Sequence, residues 1–503
     1  LRVTLGRNLI AGLANSIWSA LIGLAVVPFY LKYLGIEAYG LIGFFVTTQS
    51  LLQLLDMGMA PTINREVARC SAAGELKEAG KLLHTLAVVY WGMAAVIATL
   101  LLVLAPVIAE HWLQSKQLSA QTITHAVMLM GLVVACRWPI GLYQGALIGA
   151  QRLTVSSVIN MTMVTIGSMG AIAVLAFVSP SIEAFFIWQS FIGLVYAVTM
   201  RFAAWRIIGK TEQNRFDIEK LKSVWHFTAG MSGIGLTALI FTQMDKVILS
   251  KMLGLEEFGH YMLATVVVSG LYVLISPVYN VVYPRFSALV ATGDTEKLAD
   301  LYRMGTRLLV SAIFPIAMVL AVFGYELVLV WTGNPAVASN VAPVIALLAI
   351  GSGLHGAMYF PYALQLAYGM TQLPLTINII LMMAFLPLII YFALTYGALG
   401  GALAWLVLHV MYMLLGTWLT HRRLLKGVGV GWLLQDIGIP LMLTLLIGVL
   451  AHFAVHGNEY PVLVKLVCGS LLALVAMVLS VATSKRLRAA ILANQKWKKI
   501  AAV

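Results

Sequence analysis

The segment Lys32-Tyr33-Leu34-Gly35-Ile36-Glu37-Ala38-Tyr39-Gly40 returns later in the chain as Lys251-Met252-Leu253-Gly254-Leu255-Glu256-Glu257-Phe258-Gly259. Each copy follows one long apolar run and precedes another. Downstream the correspondence continues, with Arg65 matched by Arg285 and Gly74-Glu75 by Gly293-Asp294. The chain therefore reads as a duplicated block of six apolar runs followed by an additional pair. An even number of runs per block returns corresponding loops to the same side of a membrane, so the two blocks are expected to be parallel repeats related by an axis along the membrane normal.

Working outward from these loops, fourteen apolar stretches reach the length of about 20 residues that a spanning helix needs. They lie near 8–30, 40–60, 84–108, 121–148, 153–178, 182–203, 223–249, 259–283, 304–331, 338–367, 372–396, 397–420, 433–455 and 462–483. The sequence is 61% hydrophobic and only 10% charged, where a soluble domain carries roughly 25% charged residues. The expected fold is an all-α polytopic membrane protein. Its expected parts are an N-terminal six-helix lobe (1–203), a linker (204–222), a second six-helix lobe (223–420), a helix pair (421–483) and a basic tail (484–503). The 503 residues leave no space for a soluble catalytic domain beside these spans. The chain opens at Leu1, and residues 8–30 read as a first span, being too long and polar-striped for a cleaved signal peptide.

Charge sets the orientation, because loops rich in Lys and Arg stay cytoplasmic. Twenty-six of the 32 basic residues fall in alternate loops, while the other loops hold only Lys32, Lys116, Lys251 and Lys465. Both termini are accordingly expected in the cytoplasm of a bacterial cell with the protein in its inner membrane. The net charge of +13 is explained by these loops meeting anionic lipid headgroups, so nucleic acid is not an expected partner. Cys70, Cys136 and Cys468 are scattered without redox or metal-ligand spacing.

Two basic residues, Arg137 and Lys246, fall inside spans. A charge there costs about 2.5–3.5 kcal/mol on insertion scales and tends to face a bundle interior or a wet cavity. Helical spacing puts Gly141, Gln144 and Gly145 on the face of Arg137. Gly141, Gly145 and Gly149 also form a small-residue ladder suited to close helix packing. Lys246 and its neighbour Asp245 are about 100° apart around their helix, which keeps them from pointing at one neighbour. Snorkelling to the headgroups is the alternative for Lys246.

Polar stripes recur at helical spacing: Asn8, Asn15, Ser16 and Ser19; Gln49, Gln53 and Asp56; Tyr272, Ser276, Tyr279 and Tyr283; His355, Tyr359 and Tyr362. Such hydroxyls, amides and phenols suit sugars in a wet chamber, with interhelical hydrogen bonds as the plainer explanation of any one. Prolines within or at the ends of spans, among them Pro28, Pro139 and Pro387, fit bent helices. Phosphate-loop motifs, paired periplasmic carboxylates and His clusters are missing from the sequence, so an enzyme is not expected and no cofactor is implied.

Residues Pro28 to Gly40, then Leu55-Asp56-Met57-Gly58 and Asn64-Arg65-Glu66-Val67-Ala68-Arg69, resemble the opening of bacterial polysaccharide flippases of the Wzx type. Gly145-Ala146-Leu147-Ile148-Gly149-Ala150-Gln151-Arg152 and Met244-Asp245-Lys246-Val247-Ile248-Leu249 extend the likeness. The resemblance implies a V-shaped, two-lobed bundle of the multidrug, oligosaccharidyl-lipid and polysaccharide exporter superfamily. It implies a substrate as well: an undecaprenyl-pyrophosphate-linked oligosaccharide moved from the cytoplasmic to the periplasmic leaflet by alternating access. On this reading Arg137, Lys246, Gln144, Asn15, Gln49 and His355 line the substrate cavity, and Asp56, Asp245 and Arg65 serve coupling or the gate. Coupling to a proton or sodium gradient and association with a polysaccharide polymerase are expected partners. A multidrug cation antiporter of the same fold, and behind it a membrane glycan polymerase or ligase, are the rival readings.

Overall fold

The computed structural model describes residues 2–56, 58–73, 76–209, 216–219, 237, 239–456 and 460–488. Most of the expected linker, the start of the seventh span and the basic tail lie outside these residues. The described chain is helical, without a strand, and divides into two compact units, Leu1–Gly259 and His260–Val503. Eleven of its helices are long and apolar enough to span a bilayer.

Two of those helices are twice the length a bilayer needs, and both are hairpins. In α1 (Arg2–Leu52) the backbone leaves helical geometry at Gly35, with φ 79° and ψ 175°, a conformation that glycine enters without a Cβ clash. Tyr30 and Phe45 would stand about 22 Å apart on an unbroken helix. Instead their rings lie 5.1 and 5.5 Å from the adjacent rings of Phe185 and Phe186, so the chain has doubled back. In α14 (Gln372–Arg423) the break is at Gly397. A Cβ on Gly400 would fall 1.9 Å from the Phe392 carbonyl oxygen, a contact that only a reversal brings about. The legs of these hairpins are the four spans expected at 8–30, 40–60, 372–396 and 397–420, and the architecture is compatible with fourteen crossings.

In the first unit, a 3₁₀ turn at Gln53–Asp56 leads to α2 (Met59–Ala72), a helix with one buried face, Met59, Ile63, Val67 and Cys70. After it come α3 (Leu76–His111), α4 (Ala120–Arg137), α5 (Ile140–Gly149), α6 (Leu153–Phe177), α7 (Ile182–Ile208) and α8 (239–252). The fourth span is thus two helices, parted at Trp138-Pro139, because proline cannot supply the amide that a continuous helix requires there. The glycine ladder works as packing: a Cβ on Gly145 would meet the Ala60 oxygen at 2.7 Å, and one on Gly149 the Asn64 oxygen at 2.4 Å. Those two glycines seat α5 directly on α2, while Gly141 faces open space.

The two copies of the repeated loop touch each other reciprocally. A Cβ on Gly40 would lie 2.3 Å from the Leu255 oxygen, and one on Gly259 would lie 2.5 Å from the oxygen of Ile36, the residue equivalent to Leu255. Hydrogen bonds join several other loops and helix ends. Glu37, Ser115 to Leu118 and Ser250 to Gly259, all from loops poor in basic residues, share one face: Glu37 accepts from the Ser115 hydroxyl and from the amides of Gln117 (3.0 Å) and Lys116 (3.1 Å), and Trp112 donates to Ser250 (3.0 Å). From the basic set, Asn8 bonds the Gln151 carbonyl and Thr85 the Asp217 amide.

The second unit holds most of α9 (Leu255–Thr292), then α10 (Thr295–Val322), α11 (Gly324–Thr332), α12 (Pro335–Ala357), α13 (Tyr359–Ala367) and α14. Beyond them α15 (Gly429–Gly431) runs through a π-helical turn, Trp432–Gly438, into α16 (Ile439–Ala451), and α17 (Val462–Ala482) completes the added pair. Arginine fastens that pair to α10. Arg303 pairs with Asp436 at 2.5 Å. Arg307, 2% exposed, donates to the Gln435 carbonyl, to the Ser480 carbonyl at 2.9 Å and to Thr483. The sequence placed both arginines among the loop cations; the structure sets them inside α10 as anchors, because helix carbonyls and one carboxylate replace the water that a buried guanidinium loses. On the surface of the second unit, apolar side chains such as Met383, Leu394 and Phe453 are 73%, 76% and 74% exposed, a surface suited to hydrocarbon and not to water.

Candidate substrate site

Arg137 ends α4 and lies across α7. It sits over Gly193, where an added Cβ would be 3.1 Å from its Cγ, and its Nη2 donates to the Gln189 side-chain oxygen. Residues 189, 193 and 196 follow one another at helical spacing, so α7 presents amide, gap and phenol on one face. The guanidinium carbon is 6.0 Å from the Phe45 ring on the second leg of α1, and Tyr30 and Tyr196 lie within its electrostatic reach. Tyr196 donates to Asn160 at 2.8 Å, and Asn160 donates to Asn15 at 2.7 Å. Four helices thereby converge on one half-buried cation whose direct partner is a neutral amide. Among the described residues no carboxylate pairs with it.

Arg137 and Asn15, both expected in the cavity, are thus linked through Tyr196, which lies within electrostatic reach of the guanidinium and heads the hydrogen-bond chain to Asn15. Asn15 is also part of a zipper, since Asn8 bonds Thr154 and Trp18 bonds Thr165 along the same α1–α6 seam. Gln49, one turn beyond Phe45, is half-buried, as is Gln144. Gln144 follows the Trp138-Pro139 break, so the single helical face drawn from Arg137 through Gly145 is interrupted.

Lys246 is paired within its own helix. Its Nζ reaches both Asp245 carboxylate oxygens at 3.1 and 3.2 Å and the Thr242 carbonyl at 2.9 Å. The flexible four-carbon stem spans the angle between the two side chains, so they pair with each other instead of with separate neighbours, and Asp245 neutralises the charge. Asp56 accepts from the Tyr90 hydroxyl and from the Ala60 amide at 3.3 Å, which ties the start of α2 to α3. Arg65 lies on the exposed side of α2.

His355, in the second unit, belongs to a different cluster. Its Nδ1 is 2.9 Å from the Tyr272 hydroxyl, and its ring lies 4.6 Å from His409 and 5.4 Å from Tyr359. Around it α9 and α13 bring together Tyr279, Tyr283, Tyr359 and Tyr362. No cluster of metal-ligating residues occurs among the described residues.

The sequence reading missed Gln189, Gly193 and Tyr196, whose one signal was their spacing on α7. It missed Tyr90, which nothing local marks as the partner of Asp56.

A family model described as polysaccharide biosynthesis protein matches residues 32–335, more than half of the chain. The chain belongs to this family. It is 20% identical, over 81% of its length and 97% of the relative's, to a Shigella flexneri protein provisionally assigned as an O-antigen transporter. Among solved structures it is similar to the lipid II flippase MurJ in an inward closed conformation, with a TM-score of 0.66 at 15% identity, covering 92% of this chain and 96% of that one. A multidrug resistance MATE family transporter in an inward-facing conformation follows at a TM-score of 0.62 and 14% identity, covering 82% and 98%. The MATE transporter VcmN of Vibrio cholerae has a TM-score of 0.56 at 15% identity, covering 86% and 100%. At these identities the structures establish a shared fold. The chain is a multi-pass, all-α membrane protein of the polysaccharide biosynthesis family, with the fold that the resemblance of Pro28 to Gly40 and Asn64 to Arg69 implies.

Proposed function

We propose that this protein flips a polyprenyl-pyrophosphate-linked oligosaccharide from the cytoplasmic to the periplasmic leaflet of the bacterial inner membrane, by alternating access between two six-helix lobes and without catalysing a covalent step. The observation that carries this reading is Arg137: a cation held between helices by an amide, with its charge left for an anion. A planar guanidinium binds phosphate through a two-pronged fork, and a half-buried site strengthens that attraction over its value in water. A pyrophosphate cannot cross hydrocarbon unaided, sugars need hydrogen-bonding walls, and the polyprenyl chain is at home in lipid. Membership of a polysaccharide biosynthesis family supports the same substrate class.

Lys246 contributes less field than Arg137 because Asp245 offsets it. Asp56 and Asp245 remain the candidates for ion coupling, with Arg65 at the mouth. A multidrug cation antiporter shares the fold, but an uncompensated arginine in the site repels its substrates. The test is export of surface polysaccharide by Arg137→Ala: loss at normal protein abundance supports the reading, and normal export removes it.

A further inference from the structure

We infer that Tyr279, Tyr283, Tyr359 and Tyr362 form a stacking platform for a pyranose ring of the glycan, separate from the Arg137 cluster; this rests on the flippase reading above. Tyr279 stacks on Tyr283 at 5.7 Å between ring centroids and 5° between planes, and on Tyr362 at 6.4 Å and 24°. Tyr359 closes edge-on at 6.2 Å and 81°. Two helices, α9 and α13, thereby set four rings into one surface. The break at Met358 between α12 and α13 re-aims the chain at this point.

Three features separate this surface from ordinary core packing. The four rings are half-buried, unlike Phe286, Tyr302 and Phe360 nearby, which are packed from solvent. Their hydroxyls take no hydrogen-bond partner among the described residues, although a buried tyrosine ordinarily finds one. Finally, three of the rings lie near-parallel and are joined by an edge-on neighbour. A pyranose offers the complement: an apolar face of C–H groups that covers an aromatic ring, and a rim of hydroxyls that can both donate to and accept from phenols. Apolar walls with a few convergent polar groups are the usual composition of a small-ligand site.

The expected chain topology puts these tyrosines toward the cytoplasmic ends of their spans, with Arg285 of the basic loop set two residues after Tyr283. The platform would then meet the sugar where the substrate enters. A membrane-interface belt is a poorer account, since belt aromatics face lipid singly and these face one another across two helices.

The experiment uses the full-length protein in nanodiscs and two probes: the lipid-linked repeat unit extracted from cells deleted for this gene, and undecaprenyl pyrophosphate carrying no sugar. Tyr279→Ala and, separately, Tyr362→Ala are expected to weaken binding of the sugar-bearing probe roughly tenfold, the size of a lost aromatic contact, and to leave the bare lipid unchanged. Tyr279→Phe, which keeps the ring, should stay within about threefold of wild type. Equal loss of both probes, or loss of neither in both alanine variants, overturns the platform. Failure of the flippase reading looks different: the wild type would bind bare undecaprenyl pyrophosphate no better than its Arg137→Ala variant does.

Discussion

At the scale of single residues, charge and neighbour decide role. Arg137 and Arg307 are both arginines within helices, yet Arg307 spends its donors on the Gln435 and Ser480 carbonyls, while Arg137 engages a side-chain amide. Arg307→Ala should therefore destabilise the protein by about 3 kcal/mol, since it leaves buried carbonyls without a donor, and thermal unfolding in detergent will read the loss. Arg137→Ala should leave unfolding close to wild type and abolish export, and Arg137→Lys should restore export only in part, because an ammonium lacks the bidentate fork. The importance of Arg137 was legible in the sequence from the cost of a mid-span charge. The difference between the two arginines was not, because it depends on helices far apart in the chain, α7 for one and α16–α17 for the other.

At the scale of elements, glycine and proline punctuate the helices and a single carboxylate holds a loop. Burial raises the Glu37 pKa, but the Ser115 hydroxyl and the amides of Gln117, Lys116 and Leu118 outweigh burial and hold it below the ordinary 4.5. A lowered folded value means that this carboxylate stabilises the fold fully above its unfolded pKa, and that the contribution is lost as pH falls through the folded one. Glu37→Gln should consequently lower the unfolding temperature at pH 7, and the gap from wild type should narrow as pH falls below the ordinary 4.5 and through the lowered folded pKa. Gly40 and Gly259 meet backbone to backbone, so Gly40→Val and Gly259→Val should each reduce folded protein severalfold, whereas Gly141→Ala, facing open space, should not. Span positions were readable from apolar length. Where the helices break was less so: Gly35 read as a loop position between spans and Gly397 as the first residue of a span, while the Trp138-Pro139 break fell inside what read as one continuous span. The polar stripe of α1 was visible as a stripe, but only contact with α6 shows that Asn8, Asn15 and Trp18 spend their hydrogen bonds as a seam.

At the scale of the whole molecule, the two loop sets predicted from Lys and Arg give a topology that fusions can check. Reporters at 115 and 457 should register periplasm, and reporters at 212 and 490 cytoplasm. Directional export also requires a source of free energy. Proteoliposome flipping should accelerate when a proton or sodium gradient is imposed, and Asp56→Asn or Asp245→Asn should blunt that response; indifference to both gradients would point to downhill flipping. The most direct test of the central claim is transbilayer movement of the lipid-linked repeat unit itself. Purified protein is reconstituted into liposomes carrying that lipid, and the fraction reachable by an external glycosidase is followed with time. The account predicts that wild-type protein brings the inner-leaflet pool within reach and that Arg137→Ala liposomes behave like protein-free ones. A fraction that stays at the outer-leaflet value with wild-type protein, under every imposed gradient, would contradict it.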